Sequence, residues 1–297
     1  MISNVLVAYD GSEESLYALN RARQMATRVT VFTPPALDLT LAGWAEDPLI
    51  EINKVTNTDS KLVIGKAAEF IAPFAVITDY TITMLERFRS NLTHSLPKDG
   101  DRTNREIACL LMTNHHPGKR SEEYRNILVG ADGSMGSGMA VLAAASVAQV
   151  SGADLEIICV ERRTNQKSRK AFARMAKDPE FDPEIYRMPS SYSAEKLAYA
   201  RRFINSTDVT AKFRYHEGDP AKVLLEELRW ENCDLLVTGA TGATSHTNGK
   251  IGSVTMQMFQ HCSIDHLVVF DAVSLGLRPS SETKESAFEE ASRIMRL

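Results

Sequence analysis

The segment with the clearest chemical potential is Gly239-Ala240-Thr241-Gly242, followed after nine residues by Gly252-Ser253-Val254-Thr255. Glycines let backbone amides approach an anion with no Cβ in the way. Ser253 and Thr255 add hydroxyls at the start of a predicted helix whose dipole favours negative charge. The spacing therefore predicts a phosphate cradle. It is not a Walker A loop, because Lys250 stands before Ile251-Gly252 and the terminal Gly-Lys-[Ser/Thr] is missing. Nor does Gly133-Ser134-Met135-Gly136-Ser137-Gly138 follow the G-x-G-x-x-G order of a dinucleotide fingerprint. Phosphoryl transfer usually needs a carboxylate beside the phosphates, and the stretch from Gly239 to Thr255 has neither Asp nor Glu. Asp132, in an upstream Asp-Gly-Ser turn, could supply one, so slow hydrolysis, or phosphoryl or nucleotidyl transfer, stands as one alternative to binding alone, and an interaction scaffold that binds no ligand stands as another.

Other reactive residues organise less well. Cys109, Cys159, Cys233 and Cys262 are far apart and lack C-x-x-C spacing, so they read as buried thiols, neither a zinc site nor a redox pair. His115-His116 reads as a solvated linker pair, His246 as loop, and Arg162-Arg163 and Arg201-Arg202 as solvated faces. No catalytic residue and no metal ligand is assigned.

The elements that must hold the cradle are set out by an internal repeat. Asn4 to Ser12 reads NVLVAYDGS and Asn126 to Ser134 reads NILVGADGS. Each is a buried parallel-type strand running into a turn with an N-cap serine. Leu16, Leu19, Ala22 and Ala26 then trace a helical stripe before the strand Val29 to Phe32. Met139, Leu142, Ala143, Val147 and Val150 do the same before Leu155 to Val160. Asp47-Pro48 and Asp219-Pro220 each predict a helix start, followed by strands ending at Gly65 and Gly239. Thr81 to Met84 echoes Ser253 to Met256, and each leads to a last strand, Ile107 to Met112 and Leu267 to Phe270. In the second half, Glu161 to Tyr215 leaves room for a helix (Ala194 to Ile204) and a strand (Thr210 to Tyr215). The first half has only Thr33 to Ala45 there, which predicts a lost helix and a rerouted strand.

Alternating strands and helices predict two α/β domains with parallel sheets, the first reduced, and ligands beyond the C-terminal ends of the strands. The boundary is expected near residue 121, in the turn-rich His115 to Ser121, giving domains 1–121 and 122–297. From 280 to 297, Ala287, Phe288, Ala291, Ile294 and Met295 recur at helical spacing and predict an amphipathic tail. With 297 residues, 43% hydrophobic, the chain can bury two cores. Its net charge of -4 gives no global footprint for nucleic acid. No apolar run is long enough to span a membrane, and the N-terminus enters a strand without a leader pattern, so a cytoplasmic location is expected.

The G-x2-G-x9-G-[Ser/Thr] pattern after a strand, with strand-Asp-Gly-Ser far upstream, resembles the ATP-binding subclass of universal stress proteins over Tyr124 to Asp271. The resemblance implies tandem domains of the adenine nucleotide α-hydrolase-like fold, a five-stranded parallel sheet flanked by helices. It implies ATP, ADP or AMP as ligand, with or without Mg. Asp132 and Ala131 would contact the adenosine, Val160 would line the adenine pocket, and Gly239 and Gly242 would border ribose and phosphates. Gly252, Ser253, Val254 and Thr255 would hold the phosphate chain. It also implies a stress-response regulator, a homodimer or an intramolecular pair of domains, and a regulatory protein partner. Aligning Gly65 with Gly239 and Thr81 with Ser253 sets Ala68 against Gly242 and Tyr80 against Gly252. Those Cβ-bearing residues predict no nucleotide in the first half, although Asp10 is kept.

Overall fold

The structure is a computed structural model that describes residues 5–26, 28–37, 47–56, 62–63, 66, 74–77, 87–91, 108–113, 123–161, 191–230, 233–242 and 251–271. The first half runs β1 (Val5–Ala8), α1 (Glu13–Met25), β2 (Val29–Thr33), β3 (Ile50–Lys54), β4 (Phe74–Ile77) and β5 (Ala108–Met112). The second runs β6 (Asn126–Gly130), α2 (Met135–Ser151), β7 (Asp154–Glu161), α3 (Ser191–Ile204) and β8 (Ala211–Glu217). It continues with α4 (Pro220–Trp230), β9 (Leu235–Gly239), α5 (Ser253–His261) and β10 (Asp265–Phe270). The strands form one sheet in the order β3-β2-β1-β4-β5-β10-β9-β6-β7-β8. Every neighbouring pair is parallel except β5 and β10, which meet antiparallel at the seam between the halves.

The registers show how faithful the duplication is. Val5 pairs with Val29 and Phe74, as Ile127 pairs with Leu155 and Leu235. Val29 pairs with Ile50 as Leu155 does with Ala211, and Phe74 with Cys109 as Leu235 does with Asp265. Both halves thus have the same five-strand order in the same register. Leu111 and Leu267, equivalent by this count, pair with each other at the seam. The halves are therefore related by an approximate two-fold axis through that pair, an isologous contact within one chain.

Three expectations for the first half are corrected. No helix follows Asp47-Pro48, because Ile50-Glu51-Ile52-Asn53-Lys54 is strand β3; its apolar-polar alternation outweighs the Asp-Pro signal. The short apolar run near Gly65 is not the fourth strand, since Leu62 and Val63 are helical and the strand beside β1 is Phe74–Ile77. A run that short does not distinguish strand from helix, and a parallel neighbour needs a crossover between β3 and β4. No strand is rerouted: β3 stands on the edge beside β2, as β8 does beside β7. The shortening falls in the connection to that edge strand, residues 34–49 against 162–210. Gly65, Ala68, Tyr80, the proposed boundary and the 280–297 tail lie outside the described residues.

Ser12 and Ser134 cap α1 and α2, accepting from the amides of Ser15 and Ser137 at 3.2 and 3.1 Å. Glu13 and Glu14 complement the positive end of α1. The helix α2 carries more than the predicted stripe: residues Gly136 to Ala148 are all buried, because β9, α1 and α3 enclose it. Val150, expected on the stripe, is 41% exposed. Its Ala- and Gly-rich sequence fits this position. A Cβ on Gly138 would come within 2.3 Å of the Phe203 ring. On the α1–α2 side of the sheet a single core passes through the seam, from Val5, Leu19 and Val31 through Leu111 and Leu267 to Val129, Ile157 and Phe203. Alternate residues face two further clusters on the other side.

Candidate functional site

In the second half the chain leaves β6 toward β7 on one side and returns through β9 on the other, so the strand order reverses beside β6. Loops at the C-terminal ends of strands flanking such a switch point form a crevice. Ala131 follows β6, and its amide donates to the Ile158 carbonyl at 2.9 Å, tying the turn to β7. The Asp132 Oδ1 accepts from the Ser134 amide at 2.9 Å and the Ser134 hydroxyl at 2.5 Å. This fixes the carboxylate, and Gly133 makes the turn with φ of +80°.

The glycines after β9 are placed by contact. A Cβ on Gly239 would lie 2.7 Å from the Gly136 carbonyl carbon and 3.1 Å from the Ser137 nitrogen, so the first turn of α2 rests directly on the end of β9. A Cβ on Gly242 would lie 2.7 Å from Asp132 Oδ2, and one on Gly252 would lie 3.4 Å from the Gly242 nitrogen. Asp132, Gly242 and Gly252 are thus stacked side by side, although residues 110 and 120 positions apart supply them. The Gly252 amide donates to the Ala240 carbonyl at 2.7 Å, which holds the start of α5 against β9. Gly252 is the N-cap of α5 and offers no side-chain cap. The amides of Ser253, Val254 and Thr255 follow in the first turn, where no intrahelical acceptor exists.

The remaining predicted residues divide. Ser253 is exposed and Val254 half-buried at the mouth. The Thr255 hydroxyl is buried and donates to the Gly239 carbonyl at 2.7 Å, so it braces α5 on β9. Val160 is buried in the cluster of Leu128, Ala221 and Leu224 under α4.

Two neighbours went unassigned in the sequence. Gly136 is one, and its signal was available: glycine in a helix costs about 1 kcal/mol against alanine, so Gly136 and Gly138 in one turn call for a packing reason. Lys196 is the other. From α3 its side chain covers the Asp132 turn, with Cγ 2.8 Å from where a Gly133 Cβ would be. Only the packing of α3 reveals it. Beside it, burial pushes the Cys159 thiol up to about 12, with Lys196 acting against this and Glu161 and Asp132 adding to it. Near neutral pH a thiol so raised is protonated.

The first half shares the turn and differs around it. Asp10 Oδ1 accepts from the Ser12 amide at 2.9 Å and its hydroxyl at 2.6 Å, and the hydroxyl bond holds the Asp10 carboxyl below its usual range. Glu14 takes the place of Gly136 by the shared register, and Leu37 covers Gly11, its Cδ1 3.1 Å from where a Cβ would be. Among the described residues no group of three or more His, Cys, Asp or Glu could hold a metal, and no helix is long and apolar enough to cross a membrane.

A sequence model described as the universal stress protein family matches residues 123–269. A chain named as a universal stress protein from Staphylococcus aureus strain USA300 is 28% identical over 149 residues, 49% of this chain and 84% of its own. Over nearly the whole length, the fold matches a crystal structure named as a universal stress protein from Pseudomonas aeruginosa UCBPP-PA14. That match has 12% identity, a TM-score of 0.56, and coverage of 100% of this chain and 98% of the other. A universal stress protein from Archaeoglobus fulgidus DSM 4304 matches with 16% identity and a TM-score of 0.53, covering 89% of this chain and 97% of its own. Through residues 123–269, this chain belongs to the universal stress protein family.

Proposed function

We propose that the second half binds an adenine nucleotide, ATP, ADP or AMP, at the switch point, and that the chain acts as a nucleotide-dependent stress-response regulator. The observation that carries this is the stacking of Asp132, Gly242 and Gly252 beneath the uncapped start of α5. Glycine backbone and first-turn amides converge there on one place beyond the sheet, an arrangement suited to phosphate. The fixed Asp132 carboxylate beside it suits the hydroxyls of a ribose. Mg would accompany the phosphates.

The first half, residues 1–121, is proposed as a partner without nucleotide. Support comes from Glu14 in the place of Gly136 and Leu37 over the Asp10 turn. Slow hydrolysis is a second reading, favoured by the closeness of the Asp132 carboxylate to Gly242.

Calorimetry of the full chain with ATP, ADP and AMP tests the proposal, and one site per chain is expected. Gly242→Ala should weaken binding at least about tenfold, or about 1.4 kcal/mol, by pressing a methyl on Asp132. The absence of binding to the unaltered protein would overturn the reading. Product formed by the wild type and abolished in Asp132→Ala would favour the enzyme.

A further inference from the structure

The seam between the halves buries a charge pair that its own symmetry mate lacks. Arg21 on α1 and Asp265 at the start of β10 are both 0% exposed, and Arg21 Nε donates to Asp265 Oδ2 at 3.1 Å. The same oxygen accepts from the hydroxyls of Tyr124 at 2.8 Å and Tyr17 at 3.2 Å. The guanidinium also lies 4.1 Å over the Tyr124 ring and donates to Gln24 Oε1 at 3.2 Å. By the shared registers the mate of Arg21 is Ala143, and the mate of Asp265 is Cys109. One end of the two-fold seam therefore joins Arg to Asp, whereas the equivalent positions at the other end are alanine and cysteine.

We propose that Arg21 and Asp265 decide which halves may pair, selecting a first half against a second half and rejecting two like halves. The backbone cannot make this choice. Antiparallel pairing about Leu111 and Leu267 would serve two β5 strands or two β10 strands equally well. The side chains discriminate. Two second halves would set each Asp265 against Ala143 of the other, and two first halves would set each Arg21 against Cys109. Either arrangement buries a charge without its counter-ion, which is far costlier than the satisfied pair. Only the mixed seam satisfies both charges, so unlike partners are favoured by penalising the alternatives. The half with the glycine crevice is thereby committed to a half whose crevice is altered. Two such crevices do not meet through this edge.

The test uses two full-length chains with different affinity tags, Arg21→Asp and Asp265→Arg, expressed singly and together. In the first, two carboxylates face each other at the seam, and in the second, two guanidiniums do. Together, the unaltered first half of one can pair with the unaltered second half of the other, and the reversed charges pair in the remaining seam. A one-to-one heterodimer by native mass spectrometry is expected, with each chain alone aggregated or altered in mass. Wild-type mass and solubility in either single variant would overturn the proposal, as would co-expression without a heterodimer, including the case where both stay insoluble. Arg21→Met with Asp265→Leu removes the selection without burying a lone charge. This variant should form concentration-dependent assemblies that the wild type does not. A mass identical to wild type at every concentration counts against the proposal.

Discussion

Acidification should weaken the protein through one side chain, His266. It is 2% exposed on β10, its Nε2 lies 2.8 Å from Thr238 Oγ1, and its Nδ1 has no hydrogen-bond partner among the described residues. Burial pushes its pKa from 6.5 down to about 3, so the folded protein holds it neutral. The unfolded chain takes up a proton below its ordinary pKa, while the folded chain does not until about 3. Stability therefore falls as pH drops through the window between those values. For this pair of values, going from about pH 7 to about pH 5 costs about 2 kcal/mol. The first half supplies a control, since the registers place Leu110 and Ile77 at the positions of His266 and Thr238. The variant Thr238→Ile/His266→Leu should lose about 2 kcal/mol less than wild type over the same change, because all other titrating groups are shared. Urea unfolding at both pH values measures this. Equal losses in the two proteins would show that His266 is not buried neutral, and the argument would fail.

Other outcomes follow from contacts already described. Gly239→Ala and Gly138→Ala press methyl groups on the Gly136 backbone and the Phe203 ring, and each should lower stability by about 1–3 kcal/mol in urea unfolding; a loss below about 0.5 kcal/mol would refute the close approach. Burial pushes the Cys109, Cys159 and Cys233 thiols up to about 12. Iodoacetamide near neutral pH should therefore label the partly exposed Cys262 first and the other three only after unfolding. Peptide mass mapping reads this out, and early labelling of Cys159 would contradict its burial. Nucleotide titration should find one site per chain, and two equal sites would refute the division of labour between the halves.

The second half was legible almost element by element. Its strands alternate with helices whose caps and prolines are explicit: Ser134, Asp219-Pro220 and the glycines around Ser253. Each predicted element there, from Asn126 to Phe270, has its counterpart in the structure. The first half was misread where its signals conflict. Asp47-Pro48 looks like Asp219-Pro220, yet it precedes an edge strand in place of a helix, and the short run ending at Gly65 imitates a strand. Tyr80 was set against Gly252 by the echo of Ser253 to Met256 in Thr81 to Met84, whereas the alignment that set Ala68 against Gly242 rested on the run ending at Gly65. Strand pairing replaces it: counting on from β4 and β9, Thr78 follows Ile77 where Gly239 follows Thr238.

Local sequence determined the repeat, the α/β class and the glycine spacing, because turn chemistry, capping and hydrophobic period act over a few residues. Only the tertiary structure decided that Gly242 rests against Asp132, that α2 is enclosed on nearly every side, and that Arg21 meets Asp265 across 244 positions of chain. These are consequences of register and of the seam's two-fold geometry. They depend on which strands lie side by side, which no stretch of sequence short enough to read as one element contains.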